Sequence, residues 1–175
     1  MRRGSTGVAV LGRSLGAFTS QMLAGLRLFA GCAEGWRHPE VTTVILLSPQ
    51  GSGDRGRAEN SWKDVTIPWI AISSAGDRGP HGEGQTWRRE PYFRTSTHFK
   101  HAVVHNSDHF LGAIHVPEED RVDTVGGRCQ PSTAVRRAVL AFLLAFLEAL
   151  RGNAKAIAWL ASHPLASQVD HECAA

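Results

Sequence analysis

The chain has 175 residues, of which 42% are hydrophobic and 20% charged, and its formal net charge at pH 7 is +3. This composition is typical of a soluble globular protein, and we expect residues 1–175 to form a single domain. The basic residues lie in short scattered pairs without interleaved aromatic residues, which argues against nucleic-acid binding. The longest apolar run, residues 138–147, is too short to span a membrane.

Short apolar runs alternate with helical patterns along the chain, which is typical of a parallel α/β sheet. Four segments have the pattern of strands: residues 7–11, 41–47, 65–73 and 99–104. Four segments have the pattern of helices: residues 15–28, 86–97, 133–150 and 154–161. Residues 118–130 and the polar tail are expected to be irregular. The predicted fold class is therefore α/β, with a mostly parallel sheet of about four strands and flanking helices.

The first predicted strand runs directly into the motif G-x-S-x-G, formed by Gly12, Ser14 and Gly16, and a helical pattern follows at once. This order is typical of a nucleophile elbow, a sharp strand-to-helix turn that projects the serine hydroxyl above the sheet edge. Both glycines are expected because side chains at the flanking positions would clash with the crowded backbone. The helix also directs its N-terminal N–H groups toward the serine, where an oxyanion can be held.

An elbow serine needs a base to remove its proton, and the base needs an acid to orient it. Asp77 lies in the loop after the third predicted strand, and His109 lies in the loop after the fourth. Both separations along the chain are long enough for crossovers that return to the same sheet edge. Two alternatives remain: Asp54, after the second strand, is a rival acid, and other nearby histidines are rival bases. Those histidines are His98, His101, His105 and His115.

The histidines of this region also raise the question of a metal site. Five of them fall between positions 98 and 115. The segment has the pattern of a strand and a loop, so a helical spacing would not bring its members to one face. The chain contains no H-E-x-x-H motif either. We therefore expect no metal centre.

Three motifs together resemble the C-terminal half of the α/β-hydrolase superfamily, and in particular its dienelactone-hydrolase-like and lipase- and cutinase-like serine esterase branch. They are the elbow, the acid strand IPWIAISSAGD at residues 67–77, and the histidine turn SDHF at residues 107–110. Their order along the chain, nucleophile then acid then histidine, is also that of the superfamily. The resemblance covers roughly residues 5–150.

The resemblance implies hydrolysis of a small or medium carboxylic ester through an acyl-enzyme intermediate, with neither a metal nor an organic cofactor. It implies that Ser14 is the nucleophile and that His109 takes its proton and later returns it to the leaving alcohol. Asp77 would orient the imidazole and stabilise its charged form. The backbone N–H of Leu15 would be one oxyanion donor.

The resemblance is also incomplete. The superfamily's sheet has eight strands with the elbow after the fifth, whereas this sequence predicts only the last four. We therefore expect a domain that is truncated at its N-terminus and lacks the loop of the second oxyanion donor. The strand at residues 8–11 would lie exposed at the sheet edge, which predicts self-association into a homo-oligomer. No signal peptide is recognisable, so the cytoplasm is the default location, although an export signal would be missing with the N-terminus.

Several interpretations stay open at this point. The chain could be a catalytically impaired remnant or a non-catalytic interaction subunit. It could also be a flavodoxin-like protein with an anion-binding loop, although it lacks G-x-G-x-x-G. Arg13 could favour anionic substrates or be solvated. Four aromatic residues could line an acyl pocket or belong to the core: Trp62, Trp69, Trp87 and Tyr92.

Overall fold

The computed structural model describes most of the chain, in these ranges: residues 7–29, 35–53, 55–95, 99–105, 107–112, 122–123, 127–128, 132–162 and 169–173. Its elements are, in chain order, β1 (Val8–Arg13), α1 (Leu15–Leu23), β2 (Val41–Leu47), β3 (Trp69–Ser74), α2 (Gln85–Arg94), β4 (Phe99–Val104), β5 (Val122–Asp123), β6 (Gly127–Arg128), α3 (Thr133–Leu150), α4 (Ala154–Ala161) and β7 (Val169–Cys173).

The main sheet has the strand order β1-β2-β3-β4-β7. Strands β1 to β4 are parallel to one another, and β7 runs antiparallel along β4. Strands β5 and β6 form a separate antiparallel pair. The predicted α/β fold with about four parallel strands and flanking helices is confirmed. Because parallel strands end at one edge of the sheet, the loops after β1, β3 and β4 meet there.

Two hydrophobic clusters enclose the sheet, one on each face. On β2, Ile45 and Leu47 belong to the cluster that contains the buried face of α3, whereas Val44 and Leu46 belong to the cluster that contains α1. Side chains alternate between the faces of a strand, and both faces of β2 are covered. This explains why β2 reads as a nearly continuous apolar run, and its predicted bounds agree with the structure.

Helix α3 covers one face of the sheet as its sequence predicts. The Ser132 side chain accepts a hydrogen bond from the backbone N–H of Val135, which caps the helix. Val139, Phe142 and Phe146 are buried at helical spacing on the same side. The helix ends at a turn in which Gly152 has a φ of 80°, a conformation that favours glycine.

The structure corrects several predicted bounds. Helix α1 ends at Leu23 instead of residue 28, because Gly25 takes a left-handed conformation with a φ of 109°. The third strand begins at Trp69 rather than residue 65, directly after Pro68, which has no N–H for the strand ladder. Strands β5, β6 and β7 lie in segments that were expected to be irregular. Their sequences carry no apolar run from which a strand could be predicted.

Strand β1 is the outer strand of the sheet among the described residues. It pairs with β2 on one side, and Val8 and Leu11 are exposed. The predicted edge position agrees with the structure, while self-association through this strand stays a prediction. Within the described ranges, no helix is long and apolar enough to cross a bilayer.

Candidate active site

Ser14 is the single residue between β1 and α1, and its backbone is strained. Its backbone has φ 50° and ψ −117°, outside the regions that non-glycine residues normally occupy. The Ser14 N–H donates to the Leu47 carbonyl at 2.9 Å, which extends the pairing of β1 with β2 up to the serine. This is the sharp strand-to-helix turn that the sequence predicts.

The two glycines of the motif are not equivalent. A Cβ added at Gly12 would overlap the backbone carbonyl of Gly16, so only glycine fits at position 12. A Cβ added at Gly16 would meet no heavy atom within 4 Å, because Gly16 faces outward on the first turn of α1. The prediction that both positions exclude a side chain is therefore confirmed for Gly12 and wrong for Gly16.

Ser14 is the N-cap residue of α1, yet its side chain makes no capping hydrogen bond. An N-cap serine normally accepts a hydrogen bond from an N–H of the first turn. Here the Ser14 Oγ lies 3.0 Å from Nε2 of His109. The N–H of Leu15, the first residue of the helix, has no partner within the helix. The first turn of α1 therefore keeps N–H groups without a partner in the helix, next to Ser14.

The structure brings together the three residues that were predicted to form the site. His109 Nε2 faces Ser14 Oγ at 3.0 Å, and His109 Nδ1 lies 2.8 Å from Oδ1 of Asp77. Asp77 is fully buried, and the His109 side chain is 12% exposed. Each residue follows the C-terminal end of a parallel strand, namely β1, β3 and β4. A hydroxyl, an imidazole and a carboxylate are thus connected in one line, in the order that a serine triad requires.

The loops that carry Asp77 and His109 are bonded to each other. The Gly76 N–H donates to the Ser107 carbonyl at 3.0 Å, and the Ser74 hydroxyl donates to the Asp108 carbonyl at 2.6 Å. A Cβ at Gly76 would lie 2.6 Å from the Ser107 oxygen, so this close approach requires glycine. These contacts fix the carboxylate relative to the imidazole.

Arg13 holds the histidine loop from the side of β1. Its guanidinium donates to the backbone carbonyl of His109 at 3.3 Å and lies 4.8 Å from the centre of the Phe110 ring. The Ser48 hydroxyl donates to the same carbonyl at 3.2 Å. Neither of the two sequence interpretations of Arg13 describes this role, because the contact depends on a loop 96 residues away.

Arg88, on α2, is a part of the site that the sequence reasoning missed. Its Nε lies 3.1 Å from Asp77 Oδ1, and the side chains of Arg88 and Asp77 are 2% and 0% exposed. Burial lowers the pKa of the Arg88 guanidinium, while the charge of Asp77 raises it. In the sequence, Arg88 is one member of an Arg-Arg pair at residues 88–89. The helical spacing of Arg88 and Pro91, which both lie on the buried side of α2, is the pattern that could have indicated its burial.

A cavity of about 160 Å³ opens at the serine. Its lining carries three arginines and no carboxylate. The lining residues are Ser14, Leu15, Gln50, Arg55, Arg78, Pro80, Arg88 and His109. The cavity is small beside common ligand pockets, which measure about 300–1,000 Å³.

The four aromatic residues considered for an acyl pocket lie elsewhere. Trp62 and Trp69 are completely buried in the cluster on the α1 side of the sheet, and Tyr92 packs against it. The indole N–H of Trp87 donates to the Ser52 carbonyl at 2.7 Å. The structure therefore favours the core interpretation.

Two of the rival histidines lie at other positions along the fold than His109. His101 lies within β4 instead of beyond its end, and His105 directly follows that strand. Asp54, His98 and His115 lie outside the described residues. Within the described ranges, no three His, Cys, Asp or Glu side chains are grouped so that they could hold a metal ion.

Comparison of the chain with protein-family models and with curated proteins gives no match. The function of the chain is therefore inferred from the geometry of the site.

Proposed function

We propose that this protein is a serine hydrolase of the carboxylesterase type. Ser14 is the nucleophile, His109 the general base and acid, and Asp77 the residue that orients the imidazole. The observation that carries the proposal is the direction of the Ser14 side chain. Its Oγ lies 3.0 Å from His109 Nε2 and leaves the end of its own helix uncapped.

The proposed reaction has two steps. In the first, His109 Nε2 takes the proton of Ser14 Oγ while the oxygen attacks the ester carbonyl carbon. The tetrahedral intermediate collapses to an acyl-serine, and the proton passes from Nε2 to the departing alcohol. In the second step, His109 removes a proton from water, the hydroxide attacks the acyl carbon, and Ser14 regains its proton as the acid departs.

The uncapped N-terminus of α1 supports this chemistry. The Leu15 N–H is the oxyanion donor that we propose, and Leu15 and Ser14 line the same cavity. Loss of one such donor raises the activation free energy by about 3 kcal/mol in well-studied enzymes. The small volume of the cavity favours short acyl groups, such as acetyl and butyryl.

The first experiment is hydrolysis of p-nitrophenyl acetate and butyrate by the purified chain and by Ser14→Ala. Ser162→Ala is the matched control. The Ser162 hydroxyl donates to the Trp159 carbonyl at the end of α4, and Ser162 is not among the residues that line the cavity. We expect turnover in the wild type and in Ser162→Ala, and none above background in Ser14→Ala.

A fluorophosphonate probe tests the nucleophile directly. We expect a single covalent adduct, which peptide mass spectrometry would locate on Ser14. A folded wild-type chain that neither labels nor turns over would overturn the proposal. That result would instead favour the catalytically impaired remnant or the interaction subunit.

A further inference from the structure

The Asp77–His109 pair has an unusual third member. Arg88 Nε lies 3.1 Å from Asp77 Oδ1, the oxygen that faces His109 Nδ1 at 2.8 Å. Arg88 Nη2 also lies 3.3 Å from His109 Nδ1. A buried cation is thus in contact with both the acid and the base of the proposed triad.

The two contacts at His109 Nδ1 cannot both be hydrogen bonds. Arginine has only donors, so Nδ1 can accept from Arg88 or donate to Asp77, but not both. The contact with Asp77 is shorter by half an ångström. Asp77 Oδ2 is buried without a hydrogen-bond partner among the described residues, so the carboxylate accepts its hydrogen bonds through Oδ1. Nδ1 therefore carries the proton, and Arg88 Nη2 lies beside it without a hydrogen bond between the two nitrogens.

Arg88 is held in this position independently of Asp77. Its Nη1 donates to the carbonyls of Ser48 and Pro49 at 3.1 Å each, and its Nη2 donates to the Arg78 carbonyl at 2.7 Å. These acceptors belong to the loops after β2 and β3. A side chain anchored to two loops cannot swing away when the neighbouring imidazole changes its charge.

We infer that Arg88 is a positioning residue of the site, which fixes Asp77 Oδ1 as the acceptor for the Nδ1 proton of His109. With the proton on Nδ1, Nε2 is the nitrogen that can accept a proton from Ser14. The catalytic part of this inference rests on the proposed function, whereas the hydrogen bond between Asp77 and His109 does not.

The test is the NMR signal of the His109 Nδ1 proton in the full chain at one fixed pH, with wild type, Arg88→Gln and Arg89→Gln compared. A short hydrogen bond to a charged carboxylate moves such a proton signal downfield and slows its exchange with water. We expect a downfield signal in the wild type, and we expect it to move upfield or to be lost by exchange in Arg88→Gln. Arg89→Gln, which removes the adjacent cation of α2, should keep the wild-type signal.

An unchanged Nδ1 proton signal in folded Arg88→Gln would overturn the inference. If that variant does not fold, Arg88→Lys is compared instead, since it keeps a positive charge beside Asp77 but lacks the planar guanidinium that donates to the two loops. Its signal should then move in the same direction, and a wild-type signal in Arg88→Lys would contradict the inference.

Activity provides the second readout. If the chain is a hydrolase, kcat should fall by a larger factor than KM rises in Arg88→Gln, because the orientation of the imidazole is disturbed more than the binding of the ester. An altered Nδ1 proton signal in a chain without esterase activity would contradict the proposed function and leave the inference on Arg88 standing.

Discussion

The Ser14 hydroxyl contacts His109, 95 residues further along the chain, in place of the helix that Ser14 begins. An N-cap serine normally stabilises its helix by about 1 kcal/mol through a side-chain hydrogen bond. Here that contribution is missing, and the backbone of Ser14 is strained in addition. The same geometry that lowers stability directs the hydroxyl toward His109, where it is suited to nucleophilic catalysis. Stability and function often conflict in this way at active sites.

The first prediction follows from the strained backbone. Because its φ of 50° and ψ of −117° suit glycine better than other residues, we expect Ser14→Gly to be about 1 kcal/mol more stable than Ser14→Ala. Urea unfolding of the two variants measures the difference. Both should lose esterase activity by about a thousandfold or more. Equal stabilities would indicate that the turn is not strained at this residue.

The two motif glycines should respond differently to the same substitution. Gly12→Ala forces a methyl group into the Gly16 carbonyl, and we expect a loss of about 3 kcal/mol or more, or failure to fold. Gly16→Ala adds a methyl group in open space within α1, and we expect a change between zero and a gain of about 1 kcal/mol. Thermal unfolding of both variants provides the comparison, and a severe loss in Gly16→Ala would contradict it.

The buried ion pair should behave as a unit. Removal of one partner leaves an uncompensated buried charge, so Arg88→Met should cost about 3–5 kcal/mol of unfolding free energy. The double variant Arg88→Met/Asp77→Asn should cost less than the sum of its single changes, because it leaves no charge alone. A double-mutant cycle by urea denaturation measures this coupling. Additive costs would show that the two side chains do not interact energetically.

The end of α3 provides a prediction about pH. A hydrogen bond from Arg151, and a second from Asn153, lower the pKa of Glu148 below its ordinary value of 4.5. A carboxylate with a depressed pKa in the folded state stabilises the protein above that ordinary value, and the stabilisation is lost as pH falls through the lower one. Glu148→Gln should therefore have a slightly lower urea midpoint than wild type at pH 7.

The difference between Glu148→Gln and wild type should disappear on acidification well below pH 4.5. It should also shrink at high salt, because Glu148 and Arg151 are exposed to solvent. A difference of the same size at neutral and at acidic pH would contradict the assignment to the charged carboxylate.

The sequence predicts those parts of the fold and site that depend on local patterns. Apolar residues make up most of β2 and of β4, and both strands were predicted with their observed bounds. The positions of Ser14, Asp77 and His109 could be predicted because each lies at the end of a predicted strand or in the loop after it. Their meeting then follows from parallel pairing alone.

The parts that were not predicted depend on packing between distant segments. Arg88 reaches Asp77 because α2 packs beside β3, and Arg13 reaches the loop after β4. Nothing in the local sequence of either arginine indicates its partner. Strand β7 was missed for a similar reason, because its polar sequence is ordered by pairing with β4.

Because β1 is the outer strand of the described sheet, the site has two parts that differ in how firmly the sheet holds them. Asp77, Arg88 and His109 are tied together by loops of β3 and β4, which have neighbours on both sides. Ser14 is attached to β1, which has one neighbouring strand among the described residues, and such strands open locally at a smaller free energy than the interior of a sheet. Fraying of β1 would carry the hydroxyl away from an Asp77–His109 pair that remains assembled. If the chain is an esterase, as proposed, its activity should therefore disappear at a lower urea concentration than the change in tryptophan fluorescence, to which the buried Trp62 and Trp69 contribute.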